Sequence, residues 1–330
     1  MSRLQTLDAW LRQRLAGEPF ELTPASEDAS FRRYFRLSTQ EGTRIVMDAP
    51  PDHEDCRPFV KVARLFRAAG VHVPEVLLED FDNGYLLLSD LGSTTYLQAL
   101  NEAAAASLYA AANDALIRIQ LASRAGVLPD YDREVLLREM RLFPDWYVAK
   151  HLGINLTAAQ AAVLDATFES ILSNNLSQPR VYVHRDYHSR NLMVCDPCPG
   201  ILDFQDALYG PVTYDLASLY KDAYIAWDEE HILDWVVRYW EKARRAALPV
   251  TTDFGTFYRD FEWMGIQRHI KVLGIFARLF HRDGKDRYLQ DLPLVMAYLR
   301  RACERYTQLS PLLRLLDELE HRAPAVGYTF

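Results

Sequence analysis

The stretch that decides the fold reads V-Y-V-H-R-D-Y-H-S-R-N-L-M-V at residues 181–194 and I-L-D-F-Q-D at residues 201–206. Its β-branched start predicts a strand that delivers Asp186, and Asn191 follows five residues later. A second apolar strand then leads through a turn to Asp203. The layout predicts one carboxylate that can accept a proton, together with an amide and a carboxylate that can bind a metal ion.

These are the groups that phosphoryl transfer needs. A carboxylate orients and deprotonates a hydroxyl, while an Asn and an Asp hold Mg²⁺ on the phosphates of a nucleotide. An H-R-D triplet alone is weak evidence, because it can occur in a loop by chance. The Asn at the correct offset and the later Asp argue against coincidence. The sequence therefore predicts Asp186 as the catalytic residue and Asn191 and Asp203 as metal ligands.

Residues 184–191 and 203–205 resemble the catalytic and metal loops of the aminoglycoside phosphotransferase family, whose members phosphorylate small molecules. Gln205 stands where protein kinases carry Gly, and no A-P-E segment follows it. The resemblance therefore implies a small acceptor rather than a protein, with ATP and Mg²⁺ as cofactors. It also implies that His184 and Asp215 support the catalytic loop, although Asp215 could equally cap a helix.

The order of the predicted elements agrees with the two-lobed, protein-kinase-like fold that the resemblance implies. We expect a small, β-rich N-lobe at residues 1–91 and a large, mainly helical C-lobe at residues 92–330, which is an α+β architecture. Helices are predicted at residues 4–15, 56–69, 103–123 and 157–176, and strands at 20–22, 34–37, 44–47, 76–78 and 85–88. After the catalytic loop we expect helices to the end of the chain, interrupted at Pro249, Gly284 and Pro311.

Two segments of the N-lobe are candidates for ATP binding. The loop at residues 26–33 occupies the place where kinases cover the phosphates, so Ser30, Arg32 and Arg33 are expected to contact them, unless the loop is a solvated hairpin. The segment Ser89, Asp90 and Leu91 resembles the hinge whose backbone reads adenine.

The third predicted strand departs from the kinase pattern. It reads I-V-M-D-A-P-P at residues 45–51, so Met47 or Asp48 lies where kinases place the Lys that grips the phosphates. Either another group such as Arg32, Arg33 or Arg44 holds them, or the alignment slips by a residue or two. The usual Lys–Glu ion pair is therefore not expected here.

Within the family, the catalytic loop and residues 203–207, 209–216 and 267–274 resemble kinases of free amino sugars. That resemblance implies transfer of the γ-phosphate to the anomeric C1 hydroxyl of an amino sugar. Two alternatives remain open, namely a kinase of another small acceptor (an aminoglycoside, choline or homoserine) and a kinase-like module without turnover.

Four side chains are candidates for acceptor binding. Arg268 and Lys271 share one stripe of a predicted helix with apolar residues, so an anion should lie opposite them. That anion is either an acidic side chain of a neighbouring helix or a carboxylate on the acceptor sugar. His188 and Arg190, which flank the catalytic residue, are rival ligands for the sugar.

Composition narrows the class of protein. The 330 residues are 49% hydrophobic and 25% charged, which is typical of a globular protein, and the net charge of −8 argues against a nucleic-acid partner. Four scattered cysteines do not form a secreted disulfide framework, and the Cys195 and Cys198 pair is expected in a tight turn rather than a zinc site. No targeting segment or long apolar run is present, so we expect a cytoplasmic monomer that binds no membrane.

Overall fold

The computed structural model describes residues 2–27 and 31–321, and these form two compact units. The first unit comprises the described parts of residues 1–119 and 190–206, and the second those of residues 120–189 and 207–330. The sequence predicted a single boundary between residues 91 and 92. That division into lobes stays a prediction. In the structure the catalytic stretch passes from the second unit into the first between Ser189 and Arg190.

The helices and strands follow one another in three groups along the chain. The first group is α1 (Arg3–Arg14), β1 (Glu21–Glu27), β2 (Arg33–Thr39), β3 (Gly42–Asp48), α2 (Arg57–Ala68), β4 (Val76–Asp80), β5 (Tyr85–Ser89), α3 (Tyr96–Ala99) and α4 (Ala105–Leu121). The second is α5 (Arg133–Leu142), a π-helix (Phe143–His151), α6 (Ala158–Leu176), β6 (Arg180–Val183), β7 (Leu192–Met193), β8 (Gly200–Ile201) and β9 (Leu208–Pro211). The third is α7 (Tyr214–Tyr220), α8 (Glu229–Arg245), α9 (Phe254–Asp283), α10 (Leu292–Arg305) and α11 (Ser310–Leu319), with short 3₁₀ turns at Asp286–Asp291 and Thr307–Leu309.

The first unit is built on an antiparallel sheet with the strand order β1-β2-β3-β5-β4. Helix α1, predicted from its leucine spacing, packs against this sheet. Leu7 and Trp10 of the helix pack in one buried cluster with Val46 and Leu87 of the strands. Burial of such side chains stabilises the unit by roughly 1.5–3 kcal/mol each.

A glycine closes the predicted hairpin between β4 and β5. Gly84 has a φ of +70°, and a Cβ atom there would lie only 1.9 Å from the backbone oxygen of Ala49. Any other residue would therefore displace the chain that follows β3. The predicted hairpin is confirmed.

The second unit is organised around the 30-residue helix α9, which contacts α5, α6, α7, α8 and α10. Helix α6 is confirmed where the sequence predicted it, and Thr157 and Gln160 form a capping box at its start. At Gly274 helix α9 approaches the end of α5 closely, because a Cβ atom there would lie 2.4 Å from the backbone carbon of Leu142.

The predicted α+β class is confirmed, with corrections in detail. Residues 208–211 form a strand after the catalytic loop, where only helices were expected. The predicted interruption at Gly284 is confirmed, and this glycine ends α9 in the left-handed conformation. Pro311 lies in the first turn of α11 and begins a helix rather than interrupting one. The expected helical structure beyond residue 321 lies outside the described residues. Among the described helices, none combines the length and apolar character needed to span a membrane.

Candidate active site

A buried carboxylate fixes the backbone of the catalytic loop in the second unit. Asp215, at the start of α7, accepts a hydrogen bond from the backbone N–H of His184 at 2.7 Å and another from that of Arg185 at 2.9 Å. Arg185 has a φ of +78°, which non-glycine residues rarely adopt. The two hydrogen bonds help to hold this strained turn in place, so Asp215 positions the residues that follow.

His184 supports the next residue of the loop. Its ring is fully buried, and its Nδ1 accepts a hydrogen bond from the backbone N–H of Asp186 at 3.2 Å. An edge-to-face contact with Tyr187, with ring centroids 5.6 Å apart, holds the imidazole in place. Because Nδ1 is the acceptor, the neutral ring carries its proton on Nε2.

Asp186 is a partly buried carboxylate in a positive environment. Burial raises its pKa, but nearby cations lower it more, and the pKa is held at about 2. The groups that lower it are Lys271, His188, Arg185 and Arg268. Asp186 is therefore ionised at neutral pH and can accept a hydrogen bond from a hydroxyl group.

The acid that faces two of these cations is Glu139 of α5, which the sequence analysis did not single out. Its buried carboxylate pairs with Arg185 and lies 3.3 Å from the Nζ of Lys271. It also accepts hydrogen bonds from Tyr131 and, at 3.2 Å, from Gln267. Burial raises the pKa of Glu139, whereas the charges of Lys271 and Arg185 lower it, with a net lowering.

The signal for Glu139 was present in the sequence. It shares a buried stripe of α5 with Leu136 and Met140, at spacings of three and one residues. A charged residue on an apolar stripe is the same pattern that identified Lys271. The anion expected opposite Lys271 is thus an acidic side chain of the protein, Glu139. The amine of Lys271 also donates a hydrogen bond to Tyr214 at 3.0 Å.

The other predicted acceptor ligands differ in their surroundings. His188 is buried and makes an edge-to-face contact with Tyr224, with centroids 5.4 Å apart. Arg268 of α9 is 3% exposed, and its Nη1 has no hydrogen-bond partner among the described residues. Arg190 belongs to the first unit.

In the first unit, the predicted metal ligands lie together on a hairpin. Strands β7 and β8 pair antiparallel, and the backbone N–H of Leu202 donates to the backbone oxygen of Asn191 at 2.9 Å. The side-chain N–H group of Asn191 donates to one oxygen of Asp203 at 3.3 Å, and Gln205 donates to the other oxygen at 2.8 Å. The hairpin therefore brings together an amide and a carboxylate, whose oxygens are ligands of the kind that Mg²⁺ prefers. The predicted turn at Cys195 and Cys198 connects these two strands.

A cavity of about 380 Å³ in the first unit is lined by residues predicted to bind the nucleotide and by those predicted to bind the metal ion. Apolar walls that could hold a planar base come from Ile45, Leu88 and Leu202. The predicted site residues that line the same cavity are Ser89, Asp90, Leu91, Arg190, Asn191 and Asp203.

Strand alternation decides which arginine of β2 faces this cavity. Tyr34 and Arg36 line it, and Arg36 donates to Asp90 at 2.7 and 3.1 Å. Arg33 points to the opposite face of the sheet, where it donates to the buried Asp48 at 3.1 Å. The structure therefore does not bring Arg33 to the cavity. Arg36 lines it instead, and this residue was not predicted from the sequence.

Arg32 and Ser30 were also predicted to contact the phosphates. Arg32 forms an ion pair with Glu54 at 3.8 Å, and Ser30 lies outside the described residues. In β3, Ile45 lines the cavity, so alternation puts Met47 rather than Asp48 on that face. Of the two residues predicted to lie near the position of the kinase lysine, the buried Met47 is therefore on the cavity face.

Comparisons with known proteins show the family of the chain. A family model described as the phosphotransferase enzyme family matches residues 21–248. The chain is 52% identical to the N-acetylmuramate/N-acetylglucosamine kinase of Neisseria meningitidis serogroup B, over 100% of both chains. It is also 52% identical to the enzyme of that name from Pseudomonas aeruginosa, over 98% of this chain and 99% of the relative.

A solved structure confirms the kinase-like fold. The choline/ethanolamine kinase family protein from Mesorhizobium loti matches with a TM-score of 0.63 at 16% identity, covering 96% of this chain and 99% of that chain. With the family model matching more than half of the residues, the chain belongs to the aminoglycoside phosphotransferase family of phosphotransferase enzymes, as its catalytic loop predicted.

Proposed function

We propose that this chain is an ATP-dependent kinase that phosphorylates the anomeric C1 hydroxyl of N-acetylmuramate and N-acetylglucosamine. The observation that carries the proposal is the 52% identity, over essentially the whole chain, to two enzymes named as kinases of these sugars. Both sugars are components of the bacterial cell wall, so the reaction belongs to the recycling of peptidoglycan. We further propose that the enzyme acts in the cytoplasm as a monomer.

In this proposal Asp186 binds and orients the acceptor hydroxyl and receives its proton. A carboxylate whose pKa is about 2 is a weak base, so orientation is the larger part of its contribution. A weak base is sufficient for phosphoryl transfer, because little charge passes from the attacking oxygen to the phosphoryl group in a loose transition state. An anomeric hydroxyl is also more acidic than an ordinary alcohol, which further reduces the need for a strong base.

Asn191 and Asp203 hold the Mg²⁺ of MgATP in this account. Their side chains lie within 3.3 Å of each other and offer only oxygen ligands to a cation, which fits a hard ion such as Mg²⁺. When bound, the ion neutralises charge on the β- and γ-phosphates. Gln205 orients the Asp203 carboxylate by donating to one of its oxygens at 2.8 Å.

The nucleotide base is assigned to the cavity of the first unit. Its volume of about 380 Å³ falls within the usual range of roughly 300–1,000 Å³ for small-molecule sites. Backbone groups at Ser89 to Leu91 are the proposed adenine contacts. Arg36 holds the side chain of Asp90, and so keeps this segment in a fixed position.

The proposal is tested by incubating the protein with ATP and Mg²⁺ and measuring ADP release with a panel of acceptors. The panel contains the two amino sugars, their 1-O-methyl glycosides, choline and an aminoglycoside. We expect turnover of the free sugars and none of the glycosides, since the methyl group blocks the C1 hydroxyl. Turnover of choline or the aminoglycoside alone would identify a different acceptor, and no turnover of any compound would indicate a binding module.

A further inference from the structure

Arg268 is a buried cation that forms no ion pair within the part of the chain that the structure describes. It is 3% exposed, and in residues 2–27 and 31–321 no carboxylate forms an ion pair with it. Other buried cations of the second unit are paired internally, Lys221 with Glu262 at 3.4 Å and Lys271 with Glu139 at 3.3 Å. Burial of an unpaired charge is far more costly than burial of an ion pair, so Arg268 needs an explanation.

The neighbourhood of Arg268 carries an excess of positive charge. Lys271, Arg185 and Arg268 face two ionised carboxylates, Glu139 and Asp186. A third carboxylate, that of Asp215, already accepts hydrogen bonds from two backbone amides of the catalytic loop, so its oxygens are not available to Arg268. The group as a whole therefore has room for one more anion.

Arg268 also lies near Asp186 in the fold, because Gln267 and Lys271 of the same helix contact Glu139, whose carboxylate pairs with Arg185 next to Asp186. Its charge lowers the pKa of Asp186 and, against a larger effect of burial, that of Asp215. An anion bound by Arg268 is thus near the hydroxyl that Asp186 orients. The two proposed acceptors share that hydroxyl and differ in one anionic group, the lactyl carboxylate that N-acetylmuramate carries on O3, two ring carbons from C1.

We propose that Arg268 binds the lactyl carboxylate of N-acetylmuramate and so determines how strongly the enzyme prefers this sugar to N-acetylglucosamine. The inference rests on the proposed function and deepens it. A guanidinium can bind a carboxylate through two parallel hydrogen bonds, and the unpartnered Nη1 of Arg268 is available for one of them. Lys271 is a weaker candidate because Glu139 and Tyr214 already engage its amine.

The test compares the wild-type enzyme with Arg268→Met, which removes the charge but keeps a long side chain. The measurement is kcat/KM for N-acetylmuramate, for N-acetylglucosamine and for the neutral amide of N-acetylmuramate. Arg259→Met is the matched control, because Arg259 lies on the same helix, is exposed and contacts the ring of Trp263 at 5.3 Å. It should change kcat/KM for either sugar by no more than about twofold.

We expect Arg268→Met to lower kcat/KM for N-acetylmuramate by roughly 10- to 100-fold, the loss of charge-assisted hydrogen bonds. The loss for N-acetylglucosamine should be far smaller, since Asp186 keeps its other cations and stays ionised at neutral pH. For the wild-type enzyme, kcat/KM should be higher for N-acetylmuramate than for its neutral amide. For Arg268→Met the two values should be similar.

An equal loss for both sugars would overturn the inference, as would a wild-type enzyme that uses the amide as well as the acid.

A structural role is tested separately by thermal unfolding. Removal of an unpaired buried charge should leave the Tm unchanged or raised, and a large fall would show that Arg268 stabilises the fold instead. Arg268→Lys, which keeps the charge without the planar fork, should give an intermediate preference. A wild-type enzyme that uses neither sugar would overturn the proposed function itself.

Discussion

Glu139 of α5 and Lys271 of α9 form a buried ion pair, with 3.3 Å between a carboxylate oxygen and Nζ. The same carboxylate pairs with Arg185 of the catalytic loop. Glu139 thus joins two helices to the segment that carries Asp186. The packing of these two helices and the position of the catalytic loop therefore both depend on Glu139.

Glu139→Gln should therefore destabilise the protein. The change removes the carboxylate that pairs with Arg185 and with the buried Lys271, for which the expected loss in free energy of unfolding is about 3–5 kcal/mol. Urea unfolding measures it. Glu134→Gln, at an exposed position of the same helix, is the control and should change stability by less than about 0.5 kcal/mol. Equal unfolding midpoints for the two variants would contradict the role given to Glu139.

Asp186→Asn should lower turnover by roughly a hundredfold or more, the usual range for a positioned proton acceptor. Nucleotide affinity should remain nearly intact, because the cavity assigned to the base is lined by other residues. The measurements are steady-state kcat and the Kd of ATP. Loss of ATP binding, with unchanged turnover of the complex that still forms, would rule out this assignment.

The depressed pKa of Asp186 also predicts how stability changes with pH. The folded-state pKa of about 2 lies below the unfolded value of about 3.9, so the carboxylate stabilises the fold above that value and loses this effect as pH falls through 2. The wild-type protein should be more stable than Asp186→Asn at pH 6, and the difference should shrink towards pH 3. A difference that stays constant or grows in acid would show that the cations do not stabilise this carboxylate.

Asp203→Ala should abolish activity, and Asn191→Ala should raise the Mg²⁺ concentration needed for half-maximal rate. The two side chains are the oxygen donors that the β7–β8 hairpin brings together. Titration of the rate with Mg²⁺ at saturating ATP gives the measurement. If the Asn191 variant has wild-type Mg²⁺ dependence, Asn191 merely closes the loop and is no ligand.

The two arginines of β2 provide a matched pair for the nucleotide site. Arg36→Met should weaken ATP binding, on the order of tenfold for the loss of a group that fixes Asp90 by charge-assisted hydrogen bonds. Arg33→Met should leave ATP affinity near that of the wild type and lower stability, because Arg33 pairs with the buried Asp48. The reverse pattern in calorimetric titrations would restore Arg33 as the phosphate ligand.

Much of the architecture could be predicted because local patterns report local structure. The leucine spacing of α1, the capping residues of α6 and the glycine turn before β5 each determine an element within a few residues. The catalytic stretch has the same character, since the spacing from Asp186 to Asn191 to Asp203 lies within one short segment.

The parts that could not be predicted depend on contacts between distant residues. Nothing near Glu139 in sequence indicates that Lys271, 132 positions later, lies against it. The grouping of residues 190–206 with the first unit is likewise a property of the folded chain. Strand alternation could have separated Arg33 from Arg36, but only once the bounds of β2 were known.

The most direct test of the central claim is the position of the phosphate on the product. The wild-type enzyme is incubated with ATP, Mg²⁺ and N-acetylmuramate or N-acetylglucosamine, and the product is analysed by ³¹P NMR. The account predicts a sugar 1-phosphate whose phosphorus couples to the anomeric proton, for both sugars. Coupling to a proton at another carbon, or no phosphorylated sugar with either acceptor, would contradict it.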